Sequence, residues 1–456
     1  MLTETTSDIQ SVYHALDEAD FSRYHWRTVL IAGMGFFTDA YDLFIIGTVT
    51  AILTPLWHLS TTDLMWLNST SLLASMLGAI VFGRVMDLLG RKSIYGIEVI
   101  LLTLGAVFSA FSHTVWQLML FRALVGFGVG GDYAGSAIIT SEYANRSNRG
   151  QMIGTVFSMQ GLGLLAGPAI ASLLLATGVP HDLAWRLMLA LGAIPAASVI
   201  YLRRTIKETP RYALTVRGEA QSAAQVVHDV AGLDLQNATV RTRSRKARLW
   251  DPIYRKRLLG TAGAWLLMDV AFYGTGVSSQ IILRALLPGA SLLNSTLIAA
   301  LIFLVAAVPG YWLAVRRVDK SGRKRIQWRG FLVMAAAYGV IALIPAVRAL
   351  PIVFLAVYAV SYFFIEFGPN VTTFIFPAEV FPVEIRGLGD GVSAGSGKLG
   401  AFLGAFLMPL LVLHLQLAGT MAILAGVSLL GALVTIYALP EPKGLPLEIA
   451  AAEDRI

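Results

Sequence analysis

Eight ionisable side chains stand inside otherwise apolar stretches of this 456-residue chain: Asp39, Asp42, Glu98, Arg122, Asp132, Asp269, Glu366 and Lys398. A charge at bilayer depth costs at least about 2.5 kcal/mol, so each is a candidate for function. Six of the eight are acids. A carboxyl group in apolar surroundings holds its proton toward neutral pH, and that composition suits proton coupling. Asp39 and Asp42, in "GMGFFTDAYDLF", share a helix face at i and i+3. Two carboxylates there repel, so one holds a proton unless a cation such as Arg122 intervenes. Trp265, Asp269 and Tyr273, in "WLLMDVAFY", form a stripe of about 12 Å at ~1.5 Å per residue. An aromatic stripe is ordinary packing. A carboxylate centred in it is not, because an apolar face cannot satisfy it. Pro369 in "EFGPN" breaks the helical ladder and gives Asn370 room to point inward.

These side chains must be positioned by membrane helices. The chain is 56% hydrophobic and 14% charged, against roughly a quarter charged in a soluble domain. Twelve apolar spans are expected, at 27–57, 65–87, 93–112, 115–142, 150–178, 184–203, 257–286, 292–315, 327–346, 351–377, 388–414 and 417–439. The expected organisation is an N-terminal lead-in (1–26), a six-helix bundle (27–203), a central loop (204–256), a second six-helix bundle (257–439) and a tail (440–456). The lead-in lacks the basic region, apolar core and cleavage site of a signal peptide. Basic residues cluster in alternate loops, which places those loops and both termini in the cytoplasm. The positive excess therefore sets topology, and no nucleic-acid partner is expected. With no cysteine and seven scattered histidines, neither a metal site nor a cofactor is expected, nor a Ser-His-Asp arrangement of an enzyme.

The two halves repeat. Asp87 followed by Gly90-Arg91-Lys92 matches Asp319 followed by Gly322-Arg323-Lys324. Glu142 and Arg149 stand seven apart, as do Glu379 and Arg386, and "KETPR" is echoed by "PEPKG". Duplicated halves place a substrate site near the midplane between them. The repeated loops and the six-plus-six layout resemble the major facilitator superfamily of secondary transporters over nearly the whole chain. That resemblance implies that the loop charges, Asp87 and Arg91 foremost, are more than topological anchors. They would be inter-helix ion pairs that break and reform between inward-open and outward-open states.

Five motifs in order, "GMGFFTDAYDLF", "GGDYAGSAIITSEYANRSNRG", "VFSMQGLG", "WLLMDVAFY" and "FGPNVTTFIFPAEVFPVEIRG…SAGSGKLGA", resemble the phosphate:proton symporter family of fungi, plants and some bacteria. The resemblance implies phosphate contacts at Tyr133, Gln160, Trp265, Asp269, Tyr273 and Asn370. It implies a proton route through Asp39, Asp42, Glu98, Arg122, Asp132 and Lys398, with Asp269 and Glu366 as further titratable groups. Hydroxyl, indole and amide donors suit an oxyanion. Asp269 fits beside an anion when protonated, and losing that proton turns a donor into a repelling charge.

Three features depart from the family. Ala134-Gly135 replaces Pro-Leu, "GTGVSSQ" follows Tyr273, and Glu366 stands where a neutral residue is usual. The short central loop points to a bacterial form, hence a bacterial inner membrane, and the chain is expected to work as a monomer. The same donors also suit a proton-coupled symporter of another small anion, organic acid or sugar. A phosphate sensor is the more distant reading, since no extra soluble domain is present.

Gly126, Gly128 and Gly131 match G-x-G-x-x-G, but the dinucleotide fingerprint requires a strand, a turn and an exposed helix start. Within an apolar span, glycines serve close helix packing instead.

Overall fold

The computed structural model describes residues 12–233 and 247–453, and these contain no strand. Apolar runs become helices because only self-satisfied backbone is stable in hydrocarbon. The first half comprises α1 (Arg23–Trp57), α2 (Thr61–Leu89), α3 (Arg91–Ala110), α4 (Val115–Tyr143), α5 (Arg149–Ala176) and α6 (His181–Arg204). The second comprises α7 (Pro252–Val277), α8 (Leu292–Ser321), α9 (Arg323–Leu343), α10 (Pro351–Val380) and α11 (Arg386–Ala438). Among the described residues, nine helices are long and apolar enough to cross a membrane, or ten with the bent pair of α7 and Ser279–Leu286. That test leaves out α4, which carries Arg122, Asp132 and Glu142. The 53 residues of α11 would measure about 80 Å at ~1.5 Å per residue, against a hydrocarbon core of about 30 Å. The helix breaks at Gln416 (φ 54°, ψ −172°), so two passes fit within it. Each of the twelve apolar segments is largely helical, while nine or ten of the described helices have spanning length and apolarity.

Glycines set the helix spacing. A Cβ on Gly126 would lie 1.9 Å from the Ser71 carbonyl, on Gly128 2.4 Å from that of Glu98, and on Gly130 2.1 Å from that of Ser75. Backbone of α4 thus rests directly on α2 and α3. In the second half, Gly400 and Gly404 of α11 press on the Leu266 and Val270 carbonyls of α7 in the same way. Gly83 of α2 meets the Gly387 carbonyl of α11, joining the halves. The sequence G-x-G-x-x-G is therefore a packing surface.

Candidate functional site between the two halves

Tyr133 (α4), Gln160 (α5), Trp265, Asp269 and Tyr273 (α7), Asn370 (α10) and Lys398 (α11) meet where the halves face each other, each at most 2% exposed. The Tyr133 and Tyr273 hydroxyls share a 3.0 Å hydrogen bond across the halves. Gln160 Nε2 donates to Tyr133 at 2.8 Å. Asn370 Nδ2 donates to Gln160 Oε1 at 3.3 Å. Lys398 Nζ donates to Tyr273 at 2.8 Å, lies 3.6 Å above the Tyr133 ring, and stands 3.9 Å from Asp269 Oδ2. The Trp265 ring lies 6.1 Å from that of Tyr133, centroid to centroid, one helical turn before Asp269 on α7. All six residues expected from the sequence to hold substrate are thus joined, directly or through one neighbour.

Tyr311 of α8 also belongs to this cluster and was not anticipated. Its hydroxyl donates to Gln160 Oε1 at 2.5 Å and accepts from Asn370 Nδ2 at 2.7 Å. Tyr311, beside Trp312 in the apolar run "VPGYWLAV", carries no local signal; only Gly161, against whose position the Tyr311 ring packs, hints at it. The local backbone of α10 explains how Asn370 and Glu366 reach inward. Pro369 and Gly368 open the helix into a wide turn over Glu366–Asn370, with Gly368 at φ −117°, ψ −114°. Gly330 of α9 lets that bend approach, since a Cβ there would lie 2.6 Å from Gly368. Glu366 Oε2 accepts from Asn370 at 2.5 Å, while its Oε1 has no partner among the described residues.

The acids of the first half separate into three environments. Arg122 does intervene on α1, but only for Asp42, which it meets at 2.5 Å. Asp39 keeps both carboxyl oxygens buried and unpartnered among the described residues, so one cation does not serve both aspartates. Asp42 meets Arg122 of α4, whereas the charges that reach Asp39 from other helices are those of Asp132 on α4, Arg203 on α6 and Lys398 on α11. Glu98 and Asp132 sit on a residue that sequence reasoning assigned to topology. Arg203, at the end of α6 and fully buried, contacts Glu98 at 2.9 Å and grips Asp132 through both guanidinium arms, at 2.7 and 2.9 Å. Ser136 also donates to Asp132 at 2.5 Å. An arginine in "YLRRTIK" at a span terminus looks like a loop charge; its burial depends on tertiary packing.

The repeated loop residues lock the halves together at the face from which α1 begins. Glu142 accepts from Arg91 of its own half at 3.2 Å and from Arg386 of the other at 2.8 Å. Glu379 mirrors it, accepting from Arg323 at 2.9 Å and from Arg149 of the other half at 2.8 Å. Asp87 accepts the main-chain N–H groups of Gly387 and Leu388 at 2.8 and 2.7 Å, capping α11. Asp319 accepts those of Gly150 and Gln151 at 3.1 and 2.6 Å, capping α5. The expected pairs Asp87–Arg91 (3.4 Å) and Asp319–Arg323 (2.8 Å) are also present. Toward the opposite face, a cleft between the halves is lined by Thr50 and Asn68 of one and Gln280 and Arg284 of the other.

A match to the family described as "Sugar (and other) transporter" runs over residues 11–453. A "Probable inorganic phosphate transporter 1-6" of Arabidopsis thaliana is 36% identical, over 97% of this chain and 96% of its own. An "Inorganic phosphate transporter 1-2" of Oryza sativa subsp. japonica is 37% identical, over 95% and 94%. In fold, the chain matches the proton:xylose symporter XylE bound to 6-bromo-6-deoxy-D-glucose, with a TM-score of 0.80 at 22% identity, covering 94% and 99% of the two chains. Against the inward-open conformation of the Escherichia coli xylose transporter the TM-score is 0.69 at 20% identity, covering 94% and 100%.

Proposed function

Since the chain belongs to the sugar (and other) transporter family of the major facilitator superfamily, a group of multi-pass membrane transporters rather than enzymes, we propose that it imports inorganic phosphate together with protons by alternating access. The observation that carries this reading is the set of neutral donors from both halves gathered around one carboxyl and one amine. The three tyrosine hydroxyls and two amides bond mainly to each other, with Lys398 and Glu366 as their charged partners. An oxyanion entering between them exchanges those mutual bonds for its own oxygens.

Charge decides the coupling. With Lys398 positive and Asp269 and Glu366 neutral, a singly charged phosphate leaves the site balanced. Ionising Asp269 adds a like charge. Two unit charges about 4 Å apart repel by roughly 4 kcal/mol at an effective dielectric near 20, about a thousandfold in affinity. Proton and phosphate therefore favour each other's binding, and the effect is reciprocal. Asp39 is the second carboxyl fit to carry a proton, because among the described residues no hydrogen-bond donor reaches either of its buried oxygens. Glu98 and Asp132 pair with Arg203, and that cluster shapes the field around Asp39. The four crossing contacts of Glu142, Glu379, Asp87 and Asp319 form the gate. The protein works as a monomer in a bacterial inner membrane, with the gate and both termini facing the cytoplasm.

The test is uptake of labelled phosphate by liposomes holding the purified protein, with and without an inward proton gradient. Gradient-stimulated accumulation is expected. Accumulation of an organic acid or a sugar without phosphate would replace the substrate while leaving the coupling argument standing. The Asp269→Asn variant is expected to exchange phosphate across the membrane but not to concentrate it; wild-type accumulation would remove Asp269 from the coupling step.

A further inference from the structure

One buried acid is absorbed by neither the site nor the gate. Asp390 lies on the first turn and a half of α11, fully buried, with both carboxyl oxygens unpartnered among the described residues. One helical turn earlier stands Arg386, also fully buried, whose Nη2 likewise has no hydrogen-bond partner. A buried acceptor and a buried donor at i and i+4 are placed to pair. They are unpaired because Arg386 is committed elsewhere: Nη1 to Glu142 of the other half at 2.8 Å, Nε to the Phe381 carbonyl at 2.9 Å, and Nη2 within 3.7 Å of Glu453. The internal repeat shows that the fold does not require an acid here. Aligning Arg149-Gly150 with Arg386-Gly387 sets Asp390 against Ile153.

We propose that Asp390 is a proton-binding site of the gate, occupied when the gate is closed and emptied when it opens. With the gate closed, a bare carboxylate here would be buried without hydrogen bonds, which is costly; the proton removes that cost. Opening separates Glu142 from Arg386, because they belong to different halves. Arg386 then turns to the acceptor on its own helix, Asp390 gives its proton to water on the gate face, and the new pair stabilises the open state. The charged groups that reach Asp390 are Arg386 on its own helix and Asp87 of α2. Asp87 is fixed by the α11 amides and Arg91, and its negative charge also favours a neutral Asp390. The inference rests on the transport cycle above but not on the identity of the substrate.

The closed state thus binds one more proton than the open state, so low pH favours closure and raising the pH favours opening. The chain has no cysteine, so spin labels can be placed singly at Lys92→Cys and Arg325→Cys, exposed positions on the gate face of the two halves. Their separation is measured by pulsed dipolar spectroscopy between pH 5 and 8, without phosphate. A one-proton linkage changes the open-to-closed ratio by up to about tenfold per pH unit. Asp390→Asn, or Asp390→Ser should the first variant not fold, is expected to lose that one-proton contribution, whereas Asp390→Glu is expected to keep it. A neutral variant with the parental pH slope overturns the proposal. So does an Asp390→Glu variant that loses the slope as the neutral ones do, since packing rather than a proton would then be responsible. Absence of phosphate uptake alongside a slope that depends on Asp390 would refute the substrate and leave this site in place.

Discussion

Replacing Glu379 by Gln isolates the energy of one crossing contact in the gate. Glu379 receives Arg149 from the other half at 2.8 Å and Arg323 from its own at 3.1 and 2.9 Å. Opening breaks the first contact and keeps the second, so the cost of the substitution to the Arg149 pair falls on the closed state alone. A hydrogen bond to a charged group contributes about 1.5–3 kcal/mol, which converts to a shift of roughly 10- to 150-fold toward the open state. Gly154→Cys gives the readout. A Cβ at Gly154 meets Val315, Val371 and Ile375 of the other half at ordinary contact distances of 3.5–3.9 Å. It lies on the interface between the gate and the site, and it would be the sole thiol in the chain. Its alkylation rate from the gate face then reports the open fraction. In the Glu379→Gln background the rate should rise by about tenfold or more. Glu142→Gln should act alike, because Glu142 receives Arg386 at 2.8 Å in the mirrored position. Rates within about twofold of the parent in both backgrounds would refute the assignment of these carboxylates to the gate.

Tyr311→Phe removes the hydroxyl joining Gln160 to Asn370; a neutral hydrogen bond of about 0.5–1.5 kcal/mol predicts a rise in the KM for phosphate of roughly 2- to 10-fold, read in the liposome assay. Arg203→Met leaves Glu98 and Asp132 buried without their cation, and breaking such a cluster costs about 3–5 kcal/mol. Its melting temperature should fall well below wild type at pH 7.5 and recover in the double variant Arg203→Met/Asp132→Asn. Gly130→Ala forces a methyl against the Ser75 carbonyl, and overpacking of about 1–3 kcal/mol should lower the melting temperature measurably, whereas Gly154→Ala, with clearance, should not.

The apolar helices and the transporter fold were legible because bilayer-length runs and the repeated loops are local patterns. Pairing of Arg122 with Asp42 could be anticipated, since few cations are available within the spans. Arg203 and Tyr311 could not. Each has a common local explanation, a flanking charge or an apolar-run aromatic, and takes on its role only when α6 meets α3 and α4, or α8 meets α5. The separation of Asp39 from Asp42 was hidden for the same reason: helix spacing shows which residues share a face, not which neighbour each one meets.

Asp87 and Asp319 grip main chain across the halves. They bind the amides of Gly387, Leu388, Gly150 and Gln151, groups that every residue except proline supplies. Half of the inter-bundle latch therefore reads backbone, and at Gly387 and Gly150 it tolerates no side chain: a Cβ there would lie 2.6 Å from the Asp87 or Asp319 carboxylate. Sequence can drift at Leu388 and Gln151 without a compensating change in the other half, as long as each helix begins at the same place and keeps the glycine at its start. The latch thus fixes where each helix starts and the glycine in its first turn, and leaves the rest of the helix unconstrained.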